Sequence, residues 1–280
     1  MPTIERAGAR LHYERAGSGP ALLLVQGVGV VGRGWQPQVD GLGDRCTVIT
    51  FDNRGIGDSS LGSGPLSIDE MARDALAIMD AEGLPRFHLA GHSMGGVIAQ
   101  QIALLAPARV LSLALLCTFP RGADATRLTW AVLAAGLRTR IGTRRMRRRA
   151  FVDLVMPPVT RGAEDVDAIA AALAPLFGRD LADQPPIVMR QLRAMGRFDV
   201  FTQLGALAHI PTLVMSARYD VISPTALGPM IAAAIPGARL IEIPDAGHGM
   251  TIQRAAAVNA ALAGHIAVAE QQLRAENSEL

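Results

Sequence analysis

Between a short apolar run, Phe87-His88-Leu89-Ala90, and a helical pattern over residues 97–103, the chain carries Gly91-His92-Ser93-Met94-Gly95-Gly96. A strand that passes into a helix across so few residues must turn sharply. Glycines at Gly91 and Gly95 spare that turn the Cβ atoms that would collide across it. The turn lifts the Ser93 hydroxyl clear of a sheet. It also sets a helix N-terminus, with unpaired N–H groups and a positive dipole end, beside that hydroxyl.

The rest of the chain repeats this alternation. Apolar runs at residues 21–25, 46–51, 86–90, 111–117, 212–216 and 239–243 read as buried strands. Between them, residues 67–82, 94–105, 225–234 and 252–269 read as helices. Ser67 is the expected N-cap of the first, with Glu70 as its capping-box partner, and Gly83 stops it. Thr3–Arg6 and Leu11–Arg15 flank Gly8 and fit an antiparallel hairpin. Strands alternating with helices predict an α/β fold: a mostly parallel central sheet with helices on both faces.

Residues 119–199 interrupt the pattern. Residues 119–200 hold 14 arginines against 8 acids, although the whole chain has a formal net charge of only +2. The expected organisation is a core of residues 1–118 and 200–280 with an inserted helical cap at 119–199. The small net charge argues against a nucleic-acid partner. No apolar run approaches the length of a membrane span, and the first residues lack a signal-peptide layout, so a cytoplasmic protein is expected. Cys46 and Cys117 sit in strand patterns and read as buried thiols. All 27 basic residues are arginine, which excludes Schiff-base or lysine-nucleophile chemistry. No His/Asp cluster has ligand spacing, so neither metal nor cofactor is expected.

A serine nucleophile needs a base, and the base an orienting acid. Among six histidines, His12 and His88 lie in strand patterns, His92 belongs to the turn itself, His209 precedes a strand and His265 lies in the last helix. His248 sits in Asp245-Ala246-Gly247-His248-Gly249, a loop after the last strand, and is the candidate base. Asp220 follows the strand at 212–216, at the sheet edge where α/β sites lie, and is the candidate acid. Asp245 is the lesser rival, since it would have to fold back on its own loop. The order Ser93, Asp220, His248 is the order this turn type predicts. Leu24-Val25-Gln26-Gly27-Val28-Gly29 leaves a strand through a glycine turn. It can present the Val28 N–H to an oxyanion, with Met94 N–H as partner. Trp35 reads as core.

These motifs, with Phe51-Asp52-Asn53-Arg54-Gly55-Ile56-Gly57-Asp58-Ser59, carry a resemblance. The chain resembles α/β-hydrolase fold enzymes of the capped esterase, lactonase and haloperoxidase-like group, over about residues 3–118 and 200–270. The resemblance implies Ser93 as nucleophile, His248 as base and Asp220 as acid, and gives the 52–59 loop a structural role behind the site. Members often carry His-Gly where this chain has Gln26-Gly27. Dehalogenases and epoxide hydrolases of this fold place an aspartate at the turn, whereas Ser93 argues for acyl transfer. The expected activity is cleavage of a small to medium carboxylic ester or lactone through an acyl-enzyme. The alternatives are perhydrolase or haloperoxidase-like chemistry, C–C bond hydrolysis, or slow-turnover ligand binding. No oligomeric state is legible.

Two expectations concern the insert. Arg138, Arg140, Arg144, Arg145, Arg147, Arg148 and Arg149 read as a solvated helix docked by Met146, Ala150 and Leu154, with anionic steering as the rival reading. Phe119, Trp130, Phe151, Met156, Phe177 and Met189 suggest an apolar pocket.

Overall fold

The structure, a computed structural model, describes residues 2–126, 130–157 and 165–278, with only the main chain described at residues 125, 126, 130–133 and 277. Thr3–Arg6 (β1) and Ala9–Ala16 (β2) form the expected antiparallel hairpin. Then come Ala21–Val25 (β3), Gln36–Leu42 (α1), Thr47–Phe51 (β4), Ile68–Ala81 (α2), Phe87–His92 (β5), Met94–Leu105 (α3) and Val110–Leu116 (β6). Five helices follow: Gly122–Thr126 (α4), Trp130–Arg138 (α5), Arg144–Val155 (α6), Val166–Phe177 (α7) and Ile187–Gly196 (α8). Thr212–Ala217 (β7), Leu227–Ala234 (α9), Arg239–Ile243 (β8), Met250–Gln253 (α10) and Ala255–Ser278 (α11) complete the chain.

The eight strands form one sheet in the order β1-β2-β4-β3-β5-β6-β7-β8. β2 runs antiparallel to β4, and every pairing from β4 to β8 is parallel. Alternation along β3 divides its side chains between two cores. Leu23 and Val25 pack with Ile78 of α2 and Ile98 of α3, whereas Leu22 and Leu24 pack with Leu42 of α1 and Leu262 of α11. Burial on both faces explains why these strands read as continuous apolar runs. Trp35 is fully buried, and Cys46 and Cys117 are buried free thiols.

Local signals held with instructive departures. Ser67 Oγ caps α2 by accepting the Glu70 N–H at 3.1 Å. The Glu70 carboxylate does not return the bond; it accepts from Arg6 and Arg54 at 2.8 and 3.1 Å. Two guanidiniums outcompete one main-chain N–H for a carboxylate. The helix expected at 252–269 is two helices that break at Arg254, and the second runs on to Ser278. The helix α1 carries too short a pattern to be read from the sequence, and Pro37 marks its first turn.

The helices α4 to α8 lie between β6 and β7, and main-chain bonds tie the two ends of this insert together. Gly122 N–H donates to Phe198 O at 2.6 Å, and Val200 N–H to Pro120 O at 3.1 Å. The helix α6 does not dock by the expected line of Met146, Ala150 and Leu154. Met146 is 60% exposed, and the helix buries Val152 and Val155 instead. A line at i, i+4, i+8 drifts about 40° per step and winds off one face. Several of the arginines are paired rather than merely solvated. Arg144 pairs with Asp180 and Asp183, Arg148 with Asp167 and Asp180, and Arg149 with Asp153. These pairs, Arg148 first, hold the Asp180 carboxyl below the usual carboxylate range.

Candidate active site

Ser93 follows β5 and caps α3, with φ at +56° and ψ at −122°. Such a backbone is costly for a residue with a Cβ and persists only where its surroundings impose it. The surroundings do so here. Ser93 N–H donates to Leu116 O at 2.9 Å, and Thr118 Oγ1 donates to Ser93 O at 2.7 Å. A Cβ on Gly91 would collide with Gly95 O, and one on Gly95 with Val25 O. Gly95 therefore serves the approach of α3 to β3 rather than clearance within the turn.

Asp220 lies beyond the end of β7 and His248 beyond the end of β8. Their loops leave the same sheet edge as Ser93, at the carboxyl ends of parallel strands. His248 Nδ1 and Asp220 Oδ2 are 2.7 Å apart, and both residues are buried. The other oxygen, Asp220 Oδ1, accepts the N–H groups of Ile222 and Ser223, each at 2.8 Å. Burial alone would push the Asp220 carboxyl up; the His248 ring and these hydrogen bonds outweigh it and hold the group below its ordinary value. Asp245 points elsewhere: it pairs with Arg254 at 2.8 Å on an exposed surface.

The loop after β3 stands over the serine. Val25 is in register with Gly91, and a Cβ on Gly27 would lie 3.2 Å from Ser93 Cβ. Gln26 Oε1 accepts the Gly27 N–H at 2.9 Å, so the glutamine at the family's histidine position bonds neighbouring backbone. On the other side, Gln191 Oε1 of α8 accepts the Gly29 N–H at 2.8 Å. Val28 N–H, between these two, has no acceptor among the described hydrogen bonds. Met94 N–H is the first of α3, where a helix leaves its donors unpaired. Arg179 Nη1 donates to Gly29 O, so the insert holds both polar main-chain groups of Gly29.

Ser93 and His248 line a common cavity of about 760 Å³ with Val28. No hydrogen bond joins the serine hydroxyl to the imidazole among the described residues; such bonds are often long in unliganded sites. Of the apolar residues expected to form a pocket, Phe119, Phe151, Met156, Phe177 and Met189 line this cavity, and the Trp130 side chain lies outside those described. The 52–59 loop lies outside the lining and braces the site. Asp52 accepts from Gly32 N–H and Asp58 N–H, and Asn53 Nδ2 donates to Gln26 O.

Two neighbours were not visible as site residues in the sequence. The His92 ring lines the cavity, with its centroid 4.8 Å from that of His248. Burial, and then the His248 ring, pushes it down to about 3, so it is neutral near pH 7. Cys117 has φ at +45° and sets its thiol against Asp220; burial first and then that carboxylate push it well above the ordinary thiol range. The only available signal was position, one residue before the serine for His92 and one past a strand end for Cys117. Chain folding also gathers ligand-type atoms that spacing did not reveal: His92, Cys117 and His248 offer atoms within 4.8 Å of one another. Hydrogen bonds already engage His92 Nε2 and His248 Nδ1. The remaining histidines are structural or superficial. His88 bonds Ser112 and Glu270, His265 bonds Leu113 O, and His209 is exposed.

Among known proteins, the chain is 32% identical to a protein of Azorhizobium caulinodans named as a carbamate hydrolase, RutD, over 90% of this chain and 92% of that one. It is 30% identical to BpoC of Mycobacterium tuberculosis, named as a non-heme bromoperoxidase, over 90% of this chain and 95% of that one. The enol-lactonase of Burkholderia xenovorans LB400 superposes with a TM-score of 0.73 at 26% identity, covering 95% of this chain and all of the other. None of the described helices is long and apolar enough to cross a membrane. The alpha/beta hydrolase fold model matches residues 20–255. With that match and this sheet, the chain is an enzyme of the alpha/beta hydrolase fold family.

Proposed function

We propose that the protein is a serine hydrolase that cleaves a small to medium carboxylic ester or lactone through an acyl-enzyme. The observation that carries this reading is the 2.7 Å contact between His248 Nδ1 and Asp220 Oδ2 beside a serine held at φ +56° in the same cavity. Ser93 Oγ attacks the carbonyl carbon as its proton passes to His248 Nε2. Asp220 accepts the Nδ1–H bond, which keeps Nε2 free to take that proton and stabilises the imidazolium that forms. The carbonyl oxygen becomes an oxyanion between the Val28 and Met94 N–H groups. Collapse expels the alkoxide, which leaves with the proton from His248. Water, deprotonated by the same ring, then attacks the acyl-enzyme and restores Ser93.

In this reading residues 119–199 act as a cap that supplies the apolar wall, and the loops after β3, β5, β7 and β8 supply the chemistry. No metal or other cofactor takes part. The partner is a small molecule, and the proposed site is cytoplasmic. A carbamate presents the same acyl carbon to the same attack, so RutD's name fits this chemistry. Peroxide in place of water would give a peracid, the variant that BpoC's name suggests.

Turnover of p-nitrophenyl esters of graded chain length, lactones and aryl carbamates tests the reading, with peracid formation from acetate and peroxide as a further arm. Many product equivalents per protein and a trapped acyl adduct on Ser93 are expected. An adduct on another residue, or a single equivalent of product across the panel, would overturn it.

A further inference from the structure

The cavity is apolar over most of its wall, yet two guanidiniums reach it. Arg140 stands exposed on the insert, whereas Arg179 is partly buried just after α7. No aspartate or glutamate is among the described residues that line the cavity. Arg179 has no ion pair among the described residues either. Its Nη1 donates to Gly29 O and Phe177 O, and its Nε donates to Asp183 O at 2.8 Å. The Asp183 carboxylate is the nearby negative charge, and it is engaged by Arg144 at 3.1 Å. Nη2 donates no hydrogen bond among those described, and a Cβ on Gly29 would lie 3.2 Å from it. Covalent geometry then puts Nη2 within about 9 Å of Val28 Cα, on the loop proposed to hold the oxyanion.

A guanidinium stays charged under all ordinary conditions, and taking it out of water without a counter-charge is costly. The buried Arg54 of this same molecule is paired with Asp74 at 2.6 Å, whereas the partly buried Arg179 has no carboxylate partner among the described residues. Arg179 is held in place by carbonyl oxygens, lines the cavity, and leaves its Nη2 without a hydrogen bond among those described. A planar donor of this kind suits a carboxylate. Burial also lowers the Arg179 pKa, the mark of a cation short of solvation.

We propose that Arg179 is a specificity-determining residue that receives a carboxylate of the substrate, so that the preferred substrates are esters or lactones with an apolar body and a free carboxylate. The proposal deepens the serine hydrolase reading and rests on it. A neutral ester of the same length leaves Nη2 unpaired, and so binds less well in ground and transition states alike.

The test compares p-nitrophenyl monoesters of succinate, glutarate and adipate with their methyl-capped neutral counterparts. A second arm carries the carboxylate on the leaving group, as 4-carboxyphenyl against 4-(methoxycarbonyl)phenyl butyrate. In one arm the wild type should prefer the anionic ester in kcat/KM. Arg179→Met should lower the anionic-to-neutral ratio by about 10- to 100-fold, the worth of a charge-assisted hydrogen bond. Taking the ratio divides out whatever both esters lose when Gly29 O is released. An unchanged ratio in both arms would show that Arg179 only clamps the loop and would overturn the proposal. Should the methionine variant fail to fold, glutarate against dimethyl glutarate as competitive inhibitors of the wild type decides the matter; equal inhibition overturns it. Should no ester turn over at all, the hydrolase reading fails separately. Calorimetric titration of Ser93→Ala protein with glutarate then still reports on the anion site, and no binding at millimolar glutarate overturns it.

Discussion

His92 Nε2 lies 2.8 Å from the main-chain oxygen of His248. A carbonyl can only accept, so Nε2 carries the hydrogen and the ring is fixed as one tautomer. One histidine thus anchors the backbone of the other. His92→Ala should lower kcat on ester substrates by about 5-fold, since a buried hydrogen bond of about 1 kcal/mol is lost and the loop is freed. His92→Gln, which can donate to the same oxygen, should recover part of that loss. Equal rates for the alanine variant and wild type in steady-state kinetics would refute the anchoring role.

Ser93→Ala should reduce kcat by on the order of 10³-fold or more while the unfolding midpoint stays close to wild type. The substitution removes one hydroxyl and leaves the backbone of the turn between β5 and α3 as it is. Full activity in the purified variant would end the case for Ser93 as nucleophile.

Asp220 and Asp245 separate cleanly. Asp220→Asn should cost on the order of 10³-fold in kcat or more, because an amide in place of Oδ2 favours the wrong His248 tautomer. Asp245→Asn breaks only an exposed pair with Arg254 and should leave activity nearly unchanged. A kinetic comparison in the reverse order would reassign the acid.

Stability should fall on the acid side through two buried histidines. Burial pushes His92 down to about 3 and His265 to about 4. The unfolded chain takes up these protons near pH 6.5, long before the native state does. Their contribution is therefore complete above about pH 6.5 and is lost as pH falls from there, toward about 4 for His265 and about 3 for His92. Each costs about 1.4 kcal/mol per pH unit inside that window. Urea midpoints measured from pH 7.5 to 4.5 should show the slope, and His265→Gln should make it shallower. Parallel profiles for the variant and wild type would count against this account.

Arg54 and Asp74 form a buried ion pair at 2.6 Å behind the site, with Glu70 and Arg6 completing the network. Arg54→Ala should destabilise the fold by about 3–5 kcal/mol, since it leaves the buried Asp74 carboxylate with only the partly exposed Arg6 to balance it. Denaturant titration measures this directly, and a cost under about 1 kcal/mol would show that Arg6 alone suffices.

The sheet was legible because parallel strands bury both faces and leave unbroken apolar runs, as at Ala21–Val25 and Val110–Leu116. The candidate-site residues 93, 220 and 248, which the structure brings to one sheet edge, were legible as candidates because the sharp turn after β5 fixes one and chain order restricts the other two. Gln191 and Arg179 were not. They meet the β3 loop across 162 and 150 residues, and nothing local marks a glutamine or arginine on a helix as a partner for a distant glycine. The docking face of α6 was misread for a related reason. A helix bonded through arginine–aspartate pairs needs little apolar surface, so its few apolar residues gave a poor bearing.

Gly29 is gripped at its N–H by one insert residue and at its C=O by another, so the loop that follows β3 owes its exact pose to a segment it never meets in sequence. The insert is thus no interchangeable hat. Transplanting one from a relative to change substrate preference would also detune the donor beside it, and a working chimera must import its β3 loop along with its insert.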